Sequence, residues 1–283
     1  GTGRDVKAAD TALGEALAAA VDAIDAAGAE SPRLDAEVMI GAATGLDPAA
    51  IAAHPERPLS GPESREFAAM VRRRVRREPV AYITGVKGFR RIELGMAHGV
   101  LIPRPETELL VEIAVELQPR RVLDVGTGSG AVALAIATEL PEAAVVATDT
   151  SPEALRMARE NCDVLGLRDR VSFSEGTLPD DGEPFDLLVA NLPYVAEDDW
   201  HGLAPEIREY EPREALIAGP SGLESIAALL AEIAARGGMA RAVALEHGEG
   251  QAREVAVLAA AAGFGSVQRR RDLAGIERVV LAR

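Results

Sequence analysis

The string "DVGTGSGAVALA", Asp124 to Ala135, constrains this chain more than any other. It follows the β-branched run "RVLDV" and leads into an apolar stretch of helical character. Three glycines between a strand and a helix form a turn in which the backbone takes positive φ and lies bare to a ligand. Such a turn belongs at the carboxyl edge of a parallel sheet. Downstream, strand-like and helix-like segments keep alternating: "AAVVATD", "SPEALRMARENCDVLG", "VSFSE", "FDLLVAN", "GLESIAALLAEIAARG", "AVALEHG", "QAREVAVLAAAAG", "SVQRRRDL" and "ERVVLAR". An open α/β sheet with helices on both faces is the expected fold.

The region ahead of the glycine turn has a different texture. Residues 6 to 78 are rich in alanine and carry apolar residues at helical spacing, with Ser60 or Pro62 placed to open the last helix. From Val80 the pattern becomes mixed and reads as a hairpin, followed by the proline-stiffened loop "IPRPET", where Thr107 can cap the next helix. The expected organisation is therefore a helical domain over 1–78, a hairpin and linker over 79–108, and an α/β domain over 109–283. With Asp+Glu at 45 against Lys+Arg at 30, the formal net charge of −15 argues against direct nucleic-acid binding. One cysteine, Cys162, precludes an intrachain disulfide and fits a reducing cytoplasmic setting, while four scattered histidines show no metal-ligand spacing. Neither a membrane span nor a targeting presequence is expected.

Which nucleotide the turn holds is not decided by Gly126, Thr127, Gly128, Ser129 and Gly130, because Ala131 also satisfies the loose dinucleotide pattern G-x-G-x-x-A. Asp124 leans away from a pyrophosphate and toward a ligand bearing an ammonium and a sulfonium. Asp149 ends the next strand, 23 residues beyond Gly126, where a carboxylate can accept both ribose hydroxyls. The alternative is a plain helix N-cap around Ser151. "VANLPYV", Val189 to Val195, ends the fourth strand of the sheet and so faces the same crevice. There the side-chain carbonyl of Asn191 and the backbone carbonyl of Leu192 can grip an –NH2 group, Pro193 holds the turn, and Tyr194 supplies a flat wall. No hydride-transfer site is visible, which disfavours a nicotinamide oxidoreductase.

The tetrapeptide Asn191–Tyr194 resembles the N-P-P-Y signature of methyltransferases acting on planar nitrogens. Together with "SPRLDAEVMIGAATGL", "RREPVAYITGVKGF", "LIPRPETELLVE", "YEPREALIAGPSGLE" and "DLAGIERVVLAR", it makes nearly the whole chain similar to the release-factor glutamine N5-methyltransferases, the HemK-like family. The resemblance implies a class I methyltransferase Rossmann-like sheet, mostly parallel with an antiparallel last strand, behind a small N-terminal helical domain. It implies S-adenosylmethionine as cofactor, held by residues 126–130, Asp149, Leu178 and Asn191, and catalysis by Asn191, Leu192, Pro193 and Tyr194. The implied reaction is methylation of the glutamine side-chain amide in the Gly-Gly-Gln loop of class 1 peptide-chain release factors, by a monomer. Nucleic-acid amino methyltransferases share the signature, but the acidic charge and compact length disfavour them. Within the pattern, Leu192 replaces the first proline, and Thr177 stands where many relatives carry an acid, which leaves Thr177 and Leu178 to line the adenine pocket. Arg104 and Thr107 are placed to close over the cofactor's methionine end or to pin a domain interface. "VRRRVRREP", Val71 to Pro79, reads either as a partner-binding patch or as a solvated helix face. His247 is expected to be packed or solvent-facing, with no catalytic role.

Overall fold

The computed structural model describes residues 11–179 and 183–283, so the first ten residues of the expected helical domain lie outside it. The chain divides between Gly85 and Val86 into two compact units.

The first unit is helical: α1 (Leu13–Ala26), α2 (Pro32–Thr44), α3 (Pro48–Ala53), α4 (Gly61–Val75) and α5 (Val80–Thr84). Leu13, Leu17 and Ile24 of α1, Met39 and Ile40 of α2, Phe67 of α4 and Ile83 of α5 form its core. Ser60 opens α4 through a reciprocal capping box: its hydroxyl accepts from the Glu63 N–H, and the Glu63 carboxylate accepts from the Ser60 N–H at 2.7 Å. Two features depart from expectation. The segment "AYIT" is helical, not the first arm of a hairpin, since Pro79 opens it and Gly85, at φ 77°, closes it as a left-handed cap. Tyr82 and Ile83 are buried within this short turn of helix. The basic run is also less free than a solvated face: Arg74 is buried and pairs with Asp35 at 2.7 Å, Arg73 pairs with Glu78 at 2.6 Å, and Arg77 donates to the Ala27 carbonyl at 3.0 Å. These arginines brace the unit from within.

The second unit opens with an antiparallel hairpin of β1 (Val86–Phe89) and β2 (Ile92–Gly95). There follow α6 (Glu108–Leu117), β3 (Arg121–Val125), α7 (Ala131–Glu139), β4 (Ala144–Asp149), α8 (Pro152–Val164), β5 (Val171–Glu175) and β6 (Leu187–Ala190). After β7 (Val195–Ala196), α9 (Pro205–Tyr210), β8 (Ile217–Gly219) and α10 (Glu224–Arg236) come β9 (Val243–Glu246), α11 (Ala252–Ala261), β10 (Val267–Arg271) and β11 (Glu277–Ala282). The seven-stranded sheet has the order β10-β11-β9-β6-β3-β4-β5. β9, β6, β3, β4 and β5 run parallel, and β11 is antiparallel to both of its neighbours. Central strands β6 and β9 are buried at every position, as a sheet covered on both faces requires. Because β3 crosses to β4 on one side and has β6 on the other, the chain reverses direction across the sheet at β3. That switch opens a crevice above the carboxyl ends of β3 and β6.

Asn161 of α8 ties the hairpin to this crevice. Its side-chain oxygen accepts from the Gly95 N–H at 2.7 Å, and its amide donates to the Gly95 carbonyl at 3.2 Å and to the Ser129 carbonyl at 2.9 Å.

Candidate active site

The floor of the crevice is the turn from β3 to α7, where Gly126, Gly128 and Gly130 all take positive φ (72°, 57° and 85°). The N–H groups of Gly126 and Thr127 donate to the Thr148 carbonyl, both at 2.9 Å, which stitches the turn to β4. A side chain at Gly126 would come within 3.0 Å of the Leu192 side chain, so the turn and the Asn191–Tyr194 segment touch across the switch point. Between them lies an open cleft of about 800 Å³ including its solvent mouth, lined by Gly126, Gly128, Asp149, Thr150, Thr177, Asn191, Leu192 and Pro193 among others. A smaller cavity shares Leu101, Asn191 and Leu192 with that cleft and adds Arg104 and Tyr194.

The structure thus brings most of the expected residues to one place. Asp149 sits on the cleft wall, with Oδ2 accepting from the Gly128 N–H at 2.9 Å and Oδ1 from the Ser151 N–H at 2.9 Å. Ser151 does cap α8, its hydroxyl accepting from the Ala154 N–H at 3.2 Å, so the cap and the carboxylate occupy adjacent positions and do not compete. Three expected contributors lie elsewhere. Thr127 and Ser129 are buried beneath the turn, the former donating to Asp124 at 2.7 Å, so they shape the loop from below. Leu178 packs into the core with Val125, Phe185 and Leu188, and it is Thr177 that lines the cleft. The Thr177 carbonyl accepts from the Thr148 hydroxyl at 2.7 Å, which fixes that wall to β4.

Asp124 lies under the glycine turn, where its Oδ2 also accepts from the Ala133 N–H at 3.1 Å. Burial pushes its pKa up to about 6, against the pull of the Thr127 and Ala133 hydrogen bonds and with the Asp149 charge adding to the rise. The folded protein therefore holds a proton that the unfolded chain releases between about pH 4 and pH 6, and stability falls as pH rises through that window and then levels off. From pH 5 to pH 8 this costs about 1.4 kcal/mol. Asp124→Asn keeps an oxygen for both donors, so its stability in denaturant titrations should fall less over that range than that of the unsubstituted protein. Identical pH profiles would show that Asp124 is not the group responsible.

At the end of β6 the Asn191 side-chain amide donates to the Thr107 hydroxyl at 3.0 Å. That contact replaces the expected cap, since the Thr107 side chain makes no capping bond to α6. With the nitrogen so engaged, Asn191 Oδ1 is the end of the amide left to accept a hydrogen bond. Leu192 packs against the core cluster, so side-chain packing restrains the position that a proline ring holds in the N-P-P-Y pattern. Arg104 does not turn toward the cleft floor: it pairs with Glu211 at 2.5 Å, and the other oxygen of Glu211 accepts from the Ile102 N–H at 3.1 Å. Gln251 donates to the Tyr194 carbonyl at 3.0 Å and accepts from the Gly248 N–H at 2.8 Å. Gly222, at φ 78°, lets that same carbonyl approach, since a Cβ there would stand 2.6 Å from it. β7 continues from Tyr194 and pairs with β8, the Val195 N–H donating to the Leu216 carbonyl at 3.0 Å.

Beside these groups, Glu246 at the end of β9 is 2% exposed. Burial raises its pKa to about 7, opposed by the Thr107 hydroxyl, the Arg278 charge and the Tyr194 hydroxyl and assisted by the Glu106 charge. Tyr194 in turn is pushed up to about 12, by burial first and then by the Glu246 charge, so its phenol stays protonated. His247 is fully buried, with Nδ1 on the Gly248 carbonyl at 2.8 Å, and burial lowers its pKa and keeps it neutral. It is a packed residue. Thr107 as a partner of Asn191, and Glu211, Gln251 and Glu246, are the members of the site that reading the sequence missed.

A seven-stranded sheet with β11 as its reversed strand, opened at the β3–β6 switch beside a glycine turn and an Asn-x-Pro-Tyr segment, is the architecture of the class I methyltransferases, which take S-adenosylmethionine as methyl donor. The fold is similar to the solved hMettl16 catalytic domain in complex with a MAT2A 3′UTR hairpin, with a TM-score of 0.57 at 13% identity over 79% of this chain and 82% of that one. Two family profiles match, the PrmC N-terminal domain over residues 15–85 and a methyltransferase domain over residues 122–210. The chain is 37% identical to the release factor glutamine methyltransferase of Rhodospirillum rubrum over 100% of its own length and 89% of that protein's. It is 40% identical to that of Xylella fastidiosa over 94% and 96% of the two chains, and 36% identical to that of Salmonella typhimurium over 90% and 93%. The chain belongs to the release factor glutamine methyltransferase family.

Proposed function

We propose that this protein transfers a methyl group from S-adenosylmethionine to the side-chain amide nitrogen, N5, of the glutamine in the Gly-Gly-Gln loop of class 1 peptide-chain release factors. The observation that carries the reading is Asn191, at the shared wall of the two cavities, with its nitrogen spent on Thr107 and its oxygen left to accept. The residues present fit the cofactor. A bare glycine backbone at residues 126 and 128 and the Asp149 carboxylate suit a nucleoside, and Thr177 stands on the adenine side. When bound, S-adenosylmethionine supplies an electrophilic methyl group whose departure leaves a neutral thioether.

An amide nitrogen is a poor nucleophile because its lone pair is delocalised into the carbonyl. Asn191 Oδ1 and the Leu192 carbonyl accept from the two N–H groups of the substrate amide. They hold its nitrogen toward the donor and bind more strongly as positive charge develops there. The Tyr194 ring supports the plane of the amide, and Pro193 and the Gln251 clamp hold the turn. Orientation at near-attack distance supplies the remaining acceleration. No general base is needed, since a protonated N-methyl amide is acidic enough to release its proton to water. The helical unit recognises the body of the release factor, and the enzyme works as a monomer in the cytoplasm.

The test is incubation with methyl-labelled S-adenosylmethionine and a release factor purified unmethylated, with the label mapped by tandem mass spectrometry. Label on the Gly-Gly-Gln glutamine is the expected result. Cofactor binding without label on that residue would overturn the reading.

A further inference from the structure

The mouth of the crevice is built from two stretches that belong to none of the strands: residues 96–104, which follow the hairpin, and residues 211–216, which follow α9. Gly99, Val100 and Leu101 of the first and Pro212, Glu214 and Ala215 of the second line the larger cleft. Leu101 and Arg104 on one side and Ala215 and Leu216 on the other also line the smaller cavity. Glu211 joins the two stretches. Its side chain is 1% exposed, with Oε1 accepting from the Arg104 guanidinium at 2.5 Å, 107 residues away along the chain, and Oε2 from the Ile102 N–H at 3.1 Å. Both carboxylate oxygens are thus taken up by the opposite wall, one by a cation and one by the backbone. Tyr210, the residue before it, meets the same wall, its ring centroid 6.3 Å from that of His98. Two consecutive residues therefore grip residues 98, 102 and 104. A carboxylate buried this deeply adds little net stability, because its desolvation offsets much of its attraction to the arginine. What it secures is position.

We infer that Glu211 is a positioning residue that clasps the two walls of the crevice mouth, so that the cofactor is retained through methyl transfer and the substrate amide meets a passage of fixed width. The clasp also reaches the substrate side along the chain. Residues 212–216 run from Glu211 to the Leu216 carbonyl, which accepts from the Val195 N–H at 3.0 Å, one residue beyond Tyr194. A displacement at Glu211 is therefore passed on to both ligands. This inference rests on the reading that the larger cleft holds S-adenosylmethionine.

Stopped-flow measurement of S-adenosylmethionine association and dissociation, alongside steady-state kinetics on unmethylated release factor, tests it. Glu211→Gln keeps the shape of the side chain but sets an –NH2 against one of the two donors. It should speed cofactor release roughly 10-fold while association changes by less than a few-fold, and kcat/KM for the release factor should fall by a similar factor. Arg104→Lys, which keeps the charge but not the planar fork, should lie between this variant and wild type. Because Glu211→Gln leaves the Arg104 charge without its partner, the double variant Glu211→Gln/Arg104→Met serves if the single one does not fold, and it should release cofactor as fast. Cofactor release at the wild-type rate in folded Glu211→Gln, or in the double variant, overturns the inference. A drop in the number of active sites with no faster release per site does the same, since that marks a role in folding alone. If instead Asp149→Ala binds the cofactor as tightly as wild type, it is the underlying reading of the cleft that fails.

Discussion

Replacing Asn191 with alanine is expected to lower turnover on unmethylated release factor by roughly 10²-fold or more, the size of effect seen when one pre-organised electrostatic contact to a transition state is removed. The contact is made by a side chain that stands at the end of β6 with its nitrogen already bonded to Thr107, so little rearranges when the amide arrives. Removing it takes away an interaction that grows as charge appears on the nitrogen, and kcat bears the loss. Cofactor affinity, which the proposed function assigns to the glycine turn and Asp149, should change far less. Turnover within a few-fold of wild type, in a variant that binds S-adenosylmethionine normally, would remove Asn191 from the reaction.

Asp149→Ala should show the opposite division, with cofactor affinity falling roughly 10²-fold, as expected for about 3 kcal/mol in charge-assisted hydrogen bonds to two ribose hydroxyls. The structure adds a second reason for a large effect. Both carboxylate oxygens also hold backbone N–H groups, one from Gly128 in the turn and one from Ser151 at the start of α8. Alanine therefore removes the proposed ribose contact and also the two backbone bonds that hold the turn to the start of α8. Asp149→Asn, which keeps one accepting oxygen, should lose less. Calorimetry decides the point: unchanged affinity in Asp149→Ala would place the ribose elsewhere.

The parts of this site that the sequence disclosed are those whose chemistry is local. A glycine turn announces itself because each of its residues needs a backbone conformation that other side chains resist, and Asp149 and Asn191 announce themselves by ending apolar strands with a polar group. The pairing of Thr107 with Asn191 carries no such mark, nor do Glu211, Glu246 and Gln251. Thr107 meets Asn191, Glu211 meets Arg104 and Gln251 meets Tyr194, each far along the chain, and only the assembled fold makes them neighbours. Leu178 shows the converse difficulty, since adjacent residues on irregular backbone point in different directions, and it was Thr177 that faced the cleft. The helical α5 was misread because a short apolar run between Pro79 and Gly85 has no period long enough to separate strand from helix.

The sheet that positions the site also has to end somewhere. Its outermost strand on one side is β10, which carries Arg269, Arg270 and Arg271 in succession. These side chains are spread over ion pairs with Glu116 and Glu277. A second copy that tried to extend the sheet there would have to strip water from those pairs and set arginine beside arginine. The edge therefore resists the strand-to-strand addition by which unprotected sheets aggregate. A strongly acidic chain has thus concentrated positive charge where neighbourly pairing would be most damaging.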